Sequence, residues 1–131
     1  MSFFYGVFDQ KERQFAYTCA GHNPPILIRK DGSEVRLTEG GTLLGIFPAS
    51  DYQVGQVMLG RGDRLVLFTD GVTEATGVDD EFGEGRLLAI IRKAGDGSAA
   101  ALAASIIDAV SRFSGNTFHD DVTLVALHVI S

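Results

Sequence analysis

The sequence predicts an α+β protein, an antiparallel sheet assembly with two helices covering one face. Three observations predict it. Short β-rich runs separated by glycine and polar turns fill the first half of the chain, two segments with helical periodicity follow, and an apolar run closes it. With 131 residues the chain is short enough for one domain, and residues 1–131 are expected to form it.

Two hairpins are predicted at the start of the chain. Residues 3–8 and 14–20 are β-rich runs on either side of a polar turn. Residues 26–29 and 34–37 flank Asp31-Gly32, which is a strong hairpin signal. Four strands in two hairpins are therefore expected.

Further strands are predicted downstream. Gly40-Gly41 and Gly45 indicate an irregular loop, after which polar and apolar residues alternate along residues 52–59. The run 64–69 is apolar on both faces, so it is expected to be a central strand. Residues 122–130 are also mostly apolar on both faces, and an interior strand is expected there.

Two helices are predicted between these last two strands. The first has an apolar stripe and is expected to stop at Gly95. The second is expected to begin at Asp96 or Ser98 and to stop at Gly115. The stripes consist of Leu87, Leu88, Ile91 and Ala94 in the first helix, and of Leu102, Ile106, Ala109, Val110 and Phe113 in the second.

Composition excludes several classes of protein. The 11 basic and 17 acidic residues give a net charge of −6, which argues against a nucleic-acid surface. The longest apolar run, residues 99–104, is far shorter than the roughly 18 residues of a membrane span. No signal peptide is recognised at the N-terminus, and Cys19 is the one cysteine, so a cytoplasmic protein without an internal disulfide is expected.

Acidic residues stand at the ends of two predicted strands. Asp70 directly follows the run 64–69, and Gly71 permits a sharp backbone turn there. Asp120 and Asp121 precede the final run. If the two strands are antiparallel neighbours, the end of one lies beside the start of the other, so Asp70 and Asp120 would meet. Converging carboxylates repel unless a cation separates them or one is protonated, and Mg²⁺ and Mn²⁺ take such oxygen ligands.

A solvated acidic loop explains the same pattern, and on the residues alone both interpretations stay open. Glu74 could steer a metal-bound water or simply cap the loop. His119 could orient a ligand beside Asp120 or be an ordinary loop histidine. His22 is interpreted as part of a structural turn rather than as a general base. Six acids and no Lys or Arg lie between Arg64 and Arg86, namely Asp70, Glu74, Asp79, Asp80, Glu81 and Glu84.

Six motifs along the whole chain resemble one family in their order. They are Ala20-Gly21-His22-Asn23-Pro24-Pro25, Gly40-Gly41 with Leu44-Gly45, Gly62-Asp63, Thr69-Asp70-Gly71-Val72-Thr73-Glu74-Ala75, Phe82-Gly83 with Arg86-Leu87, and Asp120-Asp121-Val122-Thr123-Leu124. This order resembles bacterial SpoIIE/RsbU-type phosphatases, which are metal-dependent serine/threonine phosphatases of the PPM (protein phosphatase 2C-like) family. The resemblance is to the C-terminal part of the family domain. The family's N-terminal motif, whose Asp bridges two metal ions, has no counterpart in these residues.

The resemblance implies a two-sheet antiparallel β-sandwich flanked by helices, with two Mn²⁺ or Mg²⁺ ions at one end. A metal-activated water would attack phosphoserine or phosphothreonine on a regulatory protein, of the kind that antagonises anti-sigma factors. Asp70 and Asp120 match the metal-ligating, catalytic aspartates. Gly71 belongs to the Asp-Gly metal motif, and Asp121 stands beside the second ligand, where many relatives outside this subfamily have Asn.

Two functions stay open on this resemblance. The chain is either a protein phosphatase or a non-catalytic regulatory or interaction fragment that lacks the bridging Asp. The missing N-terminal part would also leave unpaired sheet edges, so a homodimer through those edges is expected.

Overall fold

The computed structural model describes residues 3–38, 40–41, 54–95, 97–115 and 122–130. Within these ranges the chain forms two β-sheets and three helices. In chain order the elements are β1 (Phe3–Asp9), β2 (Gln14–Ala20), β3 (Ile26–Ile28), β4 (Glu34–Arg36), β5 (Gly40–Gly41), β6 (Gly55–Met58), β7 (Arg64–Phe68), α1 (Asp70–Thr73), α2 (Gly83–Ala94), α3 (Ala99–Phe113) and β8 (Leu124–His128).

The first sheet is built around β2. β1 and β2 form the predicted antiparallel hairpin, with Asp9 opposite Gln14 at its turn. On its other edge β2 pairs with β6 in antiparallel fashion and with β5 in parallel fashion. The prediction of an irregular loop at Gly40-Gly41 is therefore wrong. β6 pairs with β2 only as far as Tyr17, which leaves room for the short β5 farther along the same edge. Gly45 lies outside the described residues.

The second sheet has the order β4-β3-β7-β8, and all of its pairs are antiparallel. Leu27 and Leu65 pack against the first sheet in one core layer. Ile26, Val66 and Phe68 pack against the helices in a second core layer. β7 is apolar on both faces because each face is covered, as its sequence predicts. The predicted sandwich with helices on one face is confirmed.

Both long helices lie where their periodicity predicts them. Leu87 and Ile91 of α2 are fully buried, and Gly95 follows the helix with a positive φ of 57°. Of the two predicted N-caps for α3, the structure shows Ser98, whose hydroxyl accepts a hydrogen bond from the Ala101 amide at 3.1 Å. The apolar stripe of α3 faces the same core layer as that of α2.

The expectation that the last strand is interior is wrong for the described part of the chain. β8 pairs with β7 and with no other described strand, and its side chains Val125 and Leu127 are 51% and 42% exposed. β1 likewise pairs only with β2 among the strands described. An apolar pattern indicates which faces of a strand can be buried, but it carries no information about how many strands lie beside it.

Candidate metal centre

Asp70 lies where β7 gives way to α1, at one end of the second sheet. Phe68, the last residue of β7, is opposite Leu124, the first residue of β8. Beyond this pair the Thr69 amide donates to the Thr123 carbonyl at 3.0 Å, and the Thr123 amide donates to the Thr69 hydroxyl at 3.1 Å. The two chain segments are therefore joined as far as the residue before Asp70.

This register confirms that β7 ends beside the start of β8. It brings residues 122 and 123 next to the segment that carries Asp70. Asp120, Asp121 and His119 lie outside the described residues, so the meeting of Asp70 with Asp120 stays a prediction. Two residues of chain span at most about 7 Å, so the prediction is compatible with the described position of Val122.

The structure adds a neighbour of Asp70 that the sequence analysis did not single out. The Asn23 side chain donates from Nδ2 to Asp70 Oδ1 at 2.6 Å. The two residues are 47 positions apart, and Asn23 belongs to the connection between the first sheet and the second. Asn23 sits in the predicted Gly-His-Asn-Pro-Pro turn, but no local spacing rule links an amide there to a carboxylate so far along the chain.

The turn that carries Asn23 is held by its own residues. Gly21 has φ 69°, in the left-handed region that glycine adopts readily. The Cys19 thiol donates to the His22 carbonyl at 3.0 Å, and burial raises the pKa of this thiol, so it keeps its proton at neutral pH. His22 Nδ1 lies 2.8 Å from the Asn23 carbonyl and must carry the proton of this bond. This geometry supports the structural interpretation of His22.

Gly71 has a different conformation from the one its sequence context suggests. It is buried in α1 and is absent from the glycines with positive φ. The backbone turns after β7 by entering a short helix, and a right-handed helical residue needs no special freedom of φ. Glu74 ends this helix and is exposed, and its amide donates to the Asp70 carbonyl at 2.8 Å.

Much of the acidic stretch that follows serves surface structure. Asp80 pairs with Arg86 at 3.1 Å, and Glu84 pairs with Arg36 at 2.6 Å. All four side chains are partly or largely exposed, and such pairs contribute little to stability. Among the described acids of this stretch, Asp70 is the one tied to Asn23 at the sheet end. The solvated-loop interpretation therefore holds for Asp80, whereas Glu84 is an exposed residue in the first turn of α2.

The donors at this sheet end fit a hard divalent cation. Asp70 is exposed and offers carboxylate oxygens, and the predicted partners Asp120 and Asp121 would add more of the same type. Within the ranges that the structure covers, no group of three or more His, Cys, Asp or Glu side chains is close enough to hold a metal. The predicted ligand set therefore depends on residues beyond those ranges.

No helix in the described residues is long and apolar enough to cross a membrane.

Comparison with known proteins gives consistent matches over nearly the whole chain. A family model for stage II sporulation protein E (SpoIIE) matches residues 1–130. Phosphoserine phosphatase RsbU of Bacillus subtilis is 32% identical over 128 residues, which make up 97% of this chain and 38% of RsbU. The chain thus spans less than two fifths of this relative.

Solved structures agree with the family match. The RsbU and RsbW domains of a Mycobacterium tuberculosis protein superpose with a TM-score of 0.84 at 26% identity, over 99% of this chain and 37% of that one. The PP2C phosphatase domain of SpoIIE from B. subtilis superposes with a TM-score of 0.82 at 19% identity, over 98% of this chain and 37% of that one. The catalytic domain of the serine/threonine phosphatase PstP, solved with 2 manganese ions, has the same fold, with a TM-score of 0.71 at 17% identity over 99% of this chain and 59% of that one.

Proposed function

The chain belongs to the SpoIIE family, and on that basis we propose that it is part of a metal-dependent protein serine/threonine phosphatase domain. Residues 1–131 would form one unit of that domain. The substrate would be phosphoserine or phosphothreonine on a regulatory protein, of the kind that antagonises an anti-sigma factor. The similarity to phosphoserine phosphatase RsbU supports this class of substrate.

One observation carries the proposal. The exposed Asp70 carboxylate stands at the end of β7, directly beside the segment that leads back to Asp120 and Asp121. Hard oxygen donors at the end of a rigid sheet suit Mn²⁺ or Mg²⁺. The manganese ions of PstP support the same choice of ion.

Each residue has a defined role in this proposal. Asp70 and Asp120 would be metal ligands, and Asp121 would stand beside them, while Gly71 lies in the α1 backbone next to Asp70. The paired Thr69 and Thr123 hold the two ligand-bearing segments together. When bound, the metal would lower the pKa of a water and neutralise charge on the phosphoryl group.

The direct test is Mn²⁺-dependent release of phosphate from an aryl phosphate by the purified chain. In Asp70→Asn we expect the rate to fall at least about a hundredfold, because the substitution removes the charge of a metal ligand. Asp79→Asn is the matched control, since it removes an exposed charge from the same acidic stretch without touching the sheet end. Circular dichroism verifies that all three proteins are folded.

The outcome also separates the two functions that the sequence leaves open. Mn²⁺-dependent turnover that Asp79→Asn keeps and Asp70→Asn loses supports the phosphatase. A folded wild-type chain without turnover contradicts catalysis by these residues alone. It favours a non-catalytic regulatory or interaction fragment of such a phosphatase.

We further propose that the chain forms a homodimer through its open sheet edges. β1 and β8 each have one edge that no described strand covers. Val7 of β1 and Val125 of β8 are each 51% exposed. Unpaired edges with exposed apolar side chains readily pair with another chain. Such pairing with a second copy would hydrogen-bond the free backbone groups and bury these side chains.

Sedimentation equilibrium tests this association. We expect the chain to sediment as a dimer at micromolar concentration, and Val125→Lys to shift it to the monomer, because a lysine on an edge strand opposes pairing. Ala100→Lys on the exposed face of α3 is the control and should leave the dimer intact. A wild-type chain that sediments as a monomer at all concentrations rules the homodimer out.

A further inference from the structure

The contact between Asn23 and Asp70 joins the two halves of the sandwich at the candidate metal centre. Asn23 follows β2 of the first sheet, whereas Asp70 follows β7 of the second. Their side chains are 2.6 Å apart, which is short for a hydrogen bond from an amide nitrogen.

The chemistry of the pair fixes which atoms face each other. An ionised carboxylate only accepts hydrogen bonds, so the amide nitrogen of Asn23 must point towards Asp70. One hydrogen bond to Oδ1 occupies one of about four lone-pair positions on the carboxylate. The remaining positions can still bind a cation. The bond therefore restrains rotation of the carboxylate while leaving it able to act as a ligand.

Asn23 is itself held in place before it meets Asp70. The left-handed Gly21 sets the turn, and the bonds from Cys19 and His22 fix the two carbonyls that follow. Pro24 restricts the backbone of Asn23 to extended conformations. The side chain of Asn23 therefore projects from a hydrogen-bonded turn, and little backbone entropy remains to be lost when its amide donates to Asp70.

From this geometry we propose that Asn23 is a positioning residue, which holds the Asp70 carboxylate in the orientation that binds Mn²⁺ or Mg²⁺. The inference rests on the proposed function. Residues that hydrogen-bond to a metal ligand orient it, and their loss commonly lowers metal affinity ten- to a hundredfold. The Gly-His-Asn-Pro-Pro turn then serves the metal centre through its asparagine, although it contributes no metal ligand of its own.

The test measures Mn²⁺ binding without substrate, by the electron paramagnetic resonance signal of the free aqueous ion. In Asn23→Leu, which keeps the side-chain volume but removes the donor, we expect the Kd for Mn²⁺ to rise about tenfold. Asn23→Ala should show the same rise. At saturating Mn²⁺ the kcat should stay within about threefold of wild type, because the residue acts through metal affinity.

Gln14→Leu is the matched control. The side-chain amide of Gln14 also donates a hydrogen bond, to Gln56 at 2.9 Å. Gln14 begins β2, whereas Asn23 follows the other end of this strand. This control should bind Mn²⁺ as wild type does. If both Asn23 variants keep the wild-type Kd, Asn23 has no positioning role and the proposed function survives. If wild type binds Mn²⁺ no better than Asp70→Asn, the metal centre itself is refuted and the positioning role with it.

Discussion

The two ends of β7 carry aspartates in opposite circumstances. Asp63 precedes the strand, is 4% exposed, and pairs with Arg29 at 2.9 Å. Its carboxylate also accepts hydrogen bonds from the amides of Gly60 at 2.8 Å and Lys30 at 3.1 Å. Asp70 follows the strand, is exposed, and has one side-chain hydrogen bond to a described residue.

Both aspartates help to connect the two sheets, but by different means. At the Asp63 end, Arg29 donates both to Asp63 and to the Met58 carbonyl of β6, so a partly buried network joins the layers. At the Asp70 end, the side-chain connection between described residues is the bond from Asn23. A buried carboxylate that accepts three hydrogen bonds has little capacity left for a ligand, whereas an exposed one with few bonds keeps that capacity but stabilises the fold little.

Substitution of Asp63 should lower the free energy of unfolding more than the other substitutions. Asp63→Ala removes the acceptor of two amides and the carboxylate partner of the Arg29 guanidinium, so we expect the free energy of unfolding to fall by about 3 kcal/mol. This is the low end for a buried pair, because the Arg29 side chain is 29% exposed and can regain water. Urea denaturation measures the change.

A surface ion pair provides the control for this variant. Asp108 and Arg112 are 3.1 Å apart on α3, both largely exposed, and Asp108→Ala should change the free energy of unfolding by less than about 0.5 kcal/mol. Equal losses in Asp63→Ala and Asp108→Ala would show that the Asp63 network adds nothing beyond an ordinary surface pair.

Substitution of Asp70 should change the free energy of unfolding less than substitution of Asp63. In the absence of metal, Asp70→Asn should alter the free energy of unfolding by less than about 0.5 kcal/mol, as exposed substitutions usually do. Adding Mn²⁺ at about a hundred times its Kd should stabilise wild type by about 2.7 kcal/mol through linkage, and Asp70→Asn hardly at all. Asp63→Ala should keep the Mn²⁺-dependent gain. Thermal melting with and without Mn²⁺ measures all three, and a large metal-free loss in Asp70→Asn would break the contrast between the two ends.

The sequence predicts the strand that precedes Asp70 because β7 is apolar on both faces, and it predicts the neighbouring strand from the same kind of run. Antiparallel pairing then fixes which ends meet, so the candidate site follows from local patterns and one geometric rule. Asn23 could not be predicted in this way. Its partner is 47 residues away in another sheet, and contacts between sheets leave no periodic trace in the chain.

Other features were missed for the same physical reason. Asp63 appears in the sequence as part of the Gly62-Asp63 motif, and only the packing of Arg29 across it pairs this buried carboxylate with a partly exposed guanidinium. The sequence predicts an interior strand at β8, which has an edge that no described strand covers, because hydrophobicity reports the faces of a strand and not its edges. The sequence does not predict the short β5, because Gly40 and Gly41 pair through backbone atoms alone.

The pairing of Thr69 with Thr123 spans 54 residues of chain, which include all three helices. The turn of the β1–β2 hairpin, from Asp9 to Gln14, closes far fewer residues. Closing the longer loop costs about 2 kcal/mol more in chain entropy, so we expect the hairpins to form early and the β7–β8 ladder to form late. We therefore expect the end of the sandwich that carries the candidate metal centre to be assembled near the last step of folding. On the proposed function, a nascent chain would gain the capacity to bind the ion only after its helices have been synthesised and packed.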